Sequence, residues 1–258
     1  MKTIQLMSLL SLLGLFSCGN SRSIKSFNEA VARRAERYEV ETFTTGSGKP
    51  VAITLIKHGS LEILYDGLSI QVDPVSGLSK PTDYAAEFPK ADYILVTHEH
   101  GDHYDPTALD ALQGDQTRFI TNARCAEMRG AGEVMVNGDS RTLRDDIRLD
   151  AVPAYNYSEG RTNFHPKGRD NGFILTLDGF RIYIAGDTED IPEMADIRDI
   201  DVAFLPVNQP YTMTVDQCVA AANVIRPKVL IPYHFSQTDL SGLPDRLPGI
   251  TVLLRQMQ

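Results

Sequence analysis

A strand-like run that ends in a dense group of histidines constrains this chain more than any other feature. Residues 97–103 read Thr-His-Glu-His-Gly-Asp-His and hold three of the six histidines. The apolar run at residues 91–96 predicts a buried strand before them, and Pro106 with the residues after it predicts the start of a helix. The group therefore lies where a strand leads into a helix, which is the usual place for a site in an open α/β sheet.

The side chains of this group are those that bind divalent transition metals. They are His98, His100, Asp102 and His103. Imidazoles and carboxylates are metal ligands, and this spacing lets one short loop reach two ions. The alternative is a solvated polar loop, so the interpretation depends on further ligands elsewhere.

Two later strand-like runs end in ligand-type residues. Residues 182–188 end around Asp187, and residues 229–235 end around His234. Each residue alone is more typical of a turn or of a packed core. Parallel strands of one sheet, however, bring their carboxyl ends to a common edge. We therefore expect both residues to join the first group.

The rest of the chain is typical of one layered domain. Its 258 residues are 42% hydrophobic and 23% charged, as in an ordinary globular protein. Asp-Gly pairs at residues 66–67 and 178–179 predict hairpins, and alternating helix and strand patterns predict crossovers. We predict an α/β fold with mixed sheets at residues 50–258 and no internal repeat.

The N-terminus carries the pattern of an export signal. Its apolar stretch is too short to span a bilayer comfortably, and Leu15-Phe16-Ser17-Cys18 resembles the lipobox of bacterial lipoproteins. We predict a signal peptide at residues 1–17, a lipid on Cys18 and a tether or helix at residues 18–49. The protein would then be anchored in the bacterial cell envelope, on the periplasmic side of the inner or outer membrane. The alternative is an ordinary signal peptide with an incidental cysteine.

Charge and cysteine content argue against other classes. The formal net charge is −9, whereas binding to phosphate backbones needs clustered Lys and Arg, so no nucleic-acid partner is expected. Export would permit a disulfide, but nothing in the sequence places Cys125 and Cys218 together. We expect both to be core residues.

The motifs resemble those of the metallo-β-lactamase-fold hydrolases. The family signature His-x-His-x-Asp-His is the group at residues 97–103, and the family's later carboxylate and final histidine match Asp187 and His234. A narrower similarity to ascorbate-6-phosphate lactonase-like proteins rests on residues 56–60, 72–74 and 231–235. The resemblance implies a four-layer αβ/βα sandwich, in which two mixed β-sheets flanked by helices hold the site at one rim.

One family position differs here. The family normally carries a further histidine at the end of an intervening strand, and in this chain that strand, residues 151–155, is followed by Asn156. The only histidine in the interval is His165, and some lactonase-like relatives look similar in this respect. We predict that His165 completes the first metal site. The alternative is a surface histidine on a loop, with Asn156 or nothing in that role.

The resemblance also implies the ligand sets. Two divalent ions are expected; zinc is favoured, and manganese or iron would also fit these ligands. The first ion would take His98, His100 and His165, and the second Asp102, His103 and His234, with Asp187 between them. The candidate catalytic residues are Asp102 and His58. His58 is predicted to bind substrate or donate a proton, or else to make a structural hydrogen bond.

Neighbouring residues have two interpretations each. Asp73 is expected either to orient a ligand histidine or only to form an Asp-Pro turn. The loop next to the site is expected either to clamp an anionic substrate group or to be solvated; the residues concerned are Tyr155, Lys167 and Arg169. 

The favoured function is a metal-dependent hydrolase of a small lactone, ester, amide or phosphate ester. The alternatives are a phosphodiesterase, nuclease or redox member of the same fold, and a metal-binding envelope lipoprotein without catalysis.

Overall fold

The computed structural model describes residues 21–257. The predicted signal peptide at residues 1–17 and the predicted lipid attachment site Cys18 lie outside the described residues. Within the part of the chain that is described, no helix is both long and apolar enough to cross a bilayer.

The first sheet has seven strands in chain order. Its strands are β1 (Glu39–Thr44), β2 (Pro50–Lys57), β3 (Ser60–Tyr65), β4 (Leu68–Val72), β5 (Tyr93–Val96), β6 (Arg118–Thr121) and β7 (Glu133–Val134). β1 to β4 pair antiparallel, and β4 to β7 pair parallel. The parallel strands are linked by α2 (Tyr84–Glu87), α3 (Pro106–Leu112) and α4 (Ala123–Arg129). The predicted Asp66-Gly67 hairpin joins β3 to β4, because both residues take the positive φ angles, 49° and 81°, of a tight turn.

The second sheet repeats this layout. Its seven strands are β8 (Ser140–Arg144), β9 (Ile147–Ala154), β10 (Asp170–Leu177), β11 (Phe180–Ile184), β12 (Val202–Pro206), β13 (Val229–Tyr233) and β14 (Thr251–Val252). β8 to β11 pair antiparallel, and β11 to β14 pair parallel. α5 (Val215–Ile225) links β12 to β13, and short 3₁₀ turns at Pro192–Asp196 and Pro244–Arg246 complete the crossovers. The two halves have the same number of strands and the same change from antiparallel to parallel pairing, although no repeat is visible in the sequence.

The sheets face each other, and helices cover their outer faces. On β5, Tyr93 and Leu95 lie in the core between the sheets, whereas Ile94 and Val96 pack with Leu109 of α3. Such alternation buries both faces of the sheet. The predicted four-layer sandwich of two mixed sheets is confirmed. Cys125 and Cys218 are buried and unpaired in the two outer layers, as expected.

The first sheet begins earlier in the chain than the boundary predicted at residue 50. α1 (Ser21–Ala35) is followed by β1, which pairs with β2 as an edge strand. β1 is only half-buried, so its pattern is weaker than that of a core strand. Arg34 of α1 donates to both carboxylate oxygens of the buried Glu62 at 2.5 and 2.9 Å, and this bidentate ion pair attaches the helix to the sheet.

Candidate metal centre

The strand ends that carry the predicted site meet at one rim of the sandwich. The first sheet supplies the residues after β2, β4 and β5, and the second sheet supplies those after β9, β11 and β13. Two backbone hydrogen bonds join the sheets there, from the amide of Asn171 to the carbonyl of Thr97 and from that of His234 to the carbonyl of His58, both 3.2 Å long. The rim is therefore a seam between the two halves.

One cluster of ligand-type atoms combines His98, His100, His165 and Asp187, whose nearest atoms all lie within 4.8 Å of one another. His98 Nε2 lies 3.1 Å from His100 Nδ1, and His165 Nε2 lies 3.2 Å from the same atom. His165 Nε2 is also 3.3 Å from Asp187 Oδ2. His165, for which a surface loop position was the alternative, is buried, with 1% of its area accessible.

A second cluster combines His58, Asp102, His103 and His234, again within 4.8 Å. His58 Nε2 lies 3.0 Å from Asp102 Oδ2, and His234 Nε2 lies 3.4 Å from the same oxygen. The structure thus brings together every predicted ligand residue, and the two clusters account for all six histidines of the chain. Sequence reasoning did not place His58 among the ligand-type residues, although it follows a buried strand as His98 and His234 do.

Asp187 lies between the two clusters. Its Oδ2 is 3.3 Å from His165 Nε2 in one cluster and 3.2 Å from His234 Nε2 in the other. Its Oδ1 is 3.3 Å from His103 Nε2. One carboxylate therefore borders histidines of both groups.

Asp73 orients two of the histidines. Its Oδ2 lies 2.8 Å from His103 Nδ1 and accepts the Thr97 hydroxyl at 2.7 Å, while its Oδ1 accepts the Thr97 amide at 2.8 Å. The hydroxyl proton of Thr97 points to the carboxylate, so its oxygen accepts from His98 Nδ1 at 3.0 Å. Both histidines then carry their hydrogen on Nδ1 and present Nε2 to the centre.

His165 is oriented by a backbone carbonyl. Its Nδ1 lies 3.2 Å from the carbonyl oxygen of Tyr211, which can only accept a hydrogen bond. His165 Nε2 is then left for the centre. The side-chain amide of Asn156 donates to the same carbonyl at 2.7 Å.

Three strand-end residues of the site have left-handed backbone conformations. The φ angles are 46° at His58, 41° at Asp73 and 47° at His234. Non-glycine residues in this region are strained and persist only where the surroundings hold them. At His58, the amide donates to the carbonyl of Met257 at 2.6 Å, so the end of the chain helps to hold this turn.

The titration behaviour of the cluster reflects burial and the shared carboxylates. Burial lowers the pKa of His98, His100 and His58. Burial also acts to lower the pKa of His234, but the neighbouring carboxylates of Asp187 and Asp102 together outweigh it and raise that pKa to about 9. The pKa of His103 is raised well above its usual value in the same way, because Asp187 and Asp73 outweigh the effect of burial.

The centre contains buried polar atoms that fit a cation. His103 Nε2, Asp187 Oδ1 and both ring nitrogens of His234 are buried without an aligned hydrogen-bond partner among the described residues. Leaving such atoms unsatisfied costs about 1–3 kcal/mol each. Nitrogen and carboxylate donors around one point are the set that zinc, manganese and iron bind. The residues present therefore suit divalent ions.

The two loop cations that could clamp an anion or lie in a solvated loop are already paired. Lys167 Nζ lies 2.7 Å from Glu193 Oε1 and 3.1 Å from the Tyr155 hydroxyl. Arg169 pairs with Asp170 at 2.6 Å and with Glu99 at 3.1 Å. Carboxylates on neighbouring segments neutralise both charges, so the geometry does not support the anion clamp.

The fold and the arrangement of histidines and aspartates define a class of protein. The family model described as a beta-lactamase superfamily domain matches residues 52–234. The chain belongs to the metallo-β-lactamase superfamily.

Its relatives identify the kind of enzyme. The chain is 30% identical over 195 residues to a protein of Archaeoglobus fulgidus named UPF0173 metal-dependent hydrolase, covering 71% of this chain and 83% of that protein. The crystal structure of a protein of Parabacteroides distasonis, assigned as a metal-dependent hydrolase, is 54% identical, with a TM-score of 0.82 over 86% of this chain and 100% of that one. Igni18, a metallo hydrolase of Ignicoccus hospitalis, is 27% identical with a TM-score of 0.68, over 80% of this chain and 95% of that one. The chain is a metal-dependent hydrolase of this superfamily.

Proposed function

We propose that the protein is a dinuclear hydrolase whose residues would hold two divalent ions, with Asp187 contributing to both sites and zinc as the expected metal. His98, His100 and His165 would hold the first ion, and Asp102, His103 and His234 the second. The observation that carries this proposal is the position of Asp187 Oδ2, 3.3 Å from His165 Nε2 and 3.2 Å from His234 Nε2. A carboxylate so close to both clusters would serve as a shared ligand.

The chemistry follows from such a pair of ions. When bound, they would lower the pKa of a water from about 15.7 toward about 7 and stabilise negative charge on the oxygen of the substrate. Asp73 and the Tyr211 carbonyl hold the imidazoles in the tautomer that this requires.

His58 is placed to move a proton. Its pKa is lowered by burial, so the ring is neutral near pH 7, and its Nε2 donates to the carboxylate of Asp102 at 3.0 Å. This leaves a lone pair on Nδ1. The side chains of His58 and Asp102 are 17% and 34% exposed, in contrast to the buried rings around them. We assign this as the open side, where His58 accepts a proton from the attacking water and returns it to the leaving group.

The surroundings favour an uncharged substrate. Lys167 and Arg169, the cations on the loop next to the site, are neutralised by carboxylates, and the whole chain has a net charge of −9. A phosphorylated or polyanionic substrate would meet no free positive charge from them. A small lactone, ester or amide is therefore favoured over a phosphate ester, and a nuclease is disfavoured. The similarity to lactonase-like proteins supports the same class of reaction.

The test combines metal analysis with a substrate screen on the purified full chain in mild detergent. We expect two ions per chain by elemental analysis and hydrolysis of at least one neutral lactone, ester or amide, with phosphodiesters turned over more slowly. Asp187→Asn should lose bound metal and activity. Asp190→Asn is the matched control on the same loop, since Asp190 contacts only the Tyr157 hydroxyl by hydrogen bond among the described residues. Fewer than two ions would contradict the dinuclear centre, and two ions without turnover would favour a non-catalytic metal-binding protein.

We also propose that the protein is anchored in the bacterial cell envelope through a lipid on Cys18. The support is the sequence of residues 1–18. Metabolic labelling with a fatty acid should mark the wild-type chain and not a Cys18→Ser variant. An unlabelled wild-type chain would reject the anchor.

A further inference from the structure

The loop that follows β12 contains no ligand-type residue of the two clusters, yet it contacts one of their histidines. Its residue Tyr211 presents a backbone carbonyl 3.2 Å from His165 Nδ1. His165 itself lies on the long connection between β9 and β10, away from the strand ends that hold most of the other site residues. Its orientation therefore depends on a contact with a different loop.

Asn156 connects these two loops. Its Nδ2 donates to the Tyr211 carbonyl at 2.7 Å and to the Arg161 carbonyl at 3.4 Å. The backbone amide of Asn156 donates to the backbone carbonyl of His165 at 2.8 Å. Asn156 is 2% exposed, so these hydrogen bonds lie in a buried environment, where losing a partner raises the free energy of the folded state.

The orientation of the Asn156 amide is set by these partners. Both acceptors are backbone carbonyls, so the nitrogen, not the oxygen, must face them. Aromatic packing joins the same two loops a second time, since the rings of Phe164 and Tyr211 lie 5.0 Å apart. The carbonyl that receives the His165 hydrogen is thus held in place by the Asn156 side chain and by the packing of the Tyr211 ring.

We infer that Asn156 is a positioning residue for the first metal site, acting through the Tyr211 carbonyl on the tautomer and ring orientation of His165. This rests on the proposed function, because it needs His165 to be a ligand. The consequence is that the loop after β12 controls occupancy of the first ion while leaving the second cluster unaffected. Outer partners of ligating histidines typically contribute about 10- to 100-fold to metal affinity.

The test is a zinc titration of the full chain carrying Asn156→Asp. This variant keeps the size of the side chain and removes its donor. We expect one ion to bind about 10- to 100-fold more weakly and the other with wild-type affinity. The matched control is Asn137→Asp, because the Asn137 side-chain amide also donates to backbone carbonyls, those of Val152 and Asp170, and to Asn171 Oδ1, but among the described residues it donates no hydrogen bond to Tyr211. The control should bind both ions as the wild type does.

A second measurement needs no variant that could misfold. In the wild-type, zinc-loaded chain, nitrogen-15 spectra of the imidazoles should show His165 bound to metal through Nε2 and protonated at Nδ1. Metal on Nδ1 of His165, an equal loss of both ions in Asn156→Asp, or no loss of either would overturn the inference. If the wild type itself fails to bind two ions, the proposed function fails instead, so the two outcomes are distinct.

Discussion

Gly59, which lies outside the histidine motif, is predicted to tolerate substitution less well than the glycine inside it. A methyl group at Gly59 would lie 2.8 Å from His103 Cε1 and 3.0 Å from His103 Nδ1. A methyl group at Gly101, within the motif, would meet nothing within 4 Å. The comparison of Gly59→Ala with Gly101→Ala therefore isolates the packing of one metal-facing ring.

The size of the effect follows from the contact. Because ordinary contacts begin near 3.4 Å, the imidazole must retreat by about 0.6 Å or the backbone must move. His103 is fully buried and bonded to Asp73 at 2.8 Å, so it has little room to do so. Overpacking of this kind costs about 1–3 kcal/mol of unfolding free energy. Displacing an oriented ligand should also weaken metal binding by about 10- to 100-fold.

The assays are urea denaturation of the metal-free chain and zinc titration of each variant. Gly59→Ala should lose stability and affinity, while Gly101→Ala should stay within about 0.5 kcal/mol of the wild type. A Gly59→Ala protein with wild-type stability and two tightly bound ions would refute the reasoning. So would a Gly101→Ala protein that is impaired as strongly.

Three further predictions concern the same centre. Asp73→Asn replaces one of the two oxygens that accept from Thr97 and His103 by a donor, so the histidines lose part of their support and zinc affinity should fall by about 10- to 100-fold in a titration. The raised pKa values of His103 and His234, the latter about 9, mean that these rings must lose protons before binding a cation. Zinc affinity should therefore rise with pH between about 6 and 8, by about tenfold per pH unit for each proton displaced, with proton release visible by calorimetry in buffers of different ionisation enthalpy. His58→Gln should keep both ions and lower kcat by about 10²- to 10⁴-fold, because it removes the imidazole that is proposed to accept the proton of the attacking water.

Controls separate these effects from general damage. Asp66→Asn, on the exposed turn between β3 and β4, where Asp66 pairs with Lys49 and Arg144 and not with a site residue, should leave zinc affinity unchanged. A pH-independent affinity would show that the two rings are already neutral in the metal-free chain. Loss of one ion from His58→Gln would make His58 a ligand, and unchanged turnover would remove it from catalysis.

Local pattern was sufficient for much of the fold and for the identity of the ligand-type residues. The strand before the histidine group, the helix that begins at Pro106 and the Asp-Gly turns depend on neighbours along the chain, and the structure shows them where they were predicted. The convergence of Asp187 and His234 on the first histidine group follows from a topological rule about parallel strands. These features are readable because each depends on short-range chemistry or on a rule common to α/β sheets.

Long-range contacts set the rest. His58 joins the second cluster, Gly59 makes room for His103, and Asp73 binds a ring thirty positions away; these relations appear only when separate strand ends are brought together. The pairing of Lys167 with Glu193, which argues against the anion clamp that the sequence left open, became visible for the same reason. A sequence shows that a charge or an imidazole is present. Its partner, and hence its protonation and its role, depends on which distant segment packs against it.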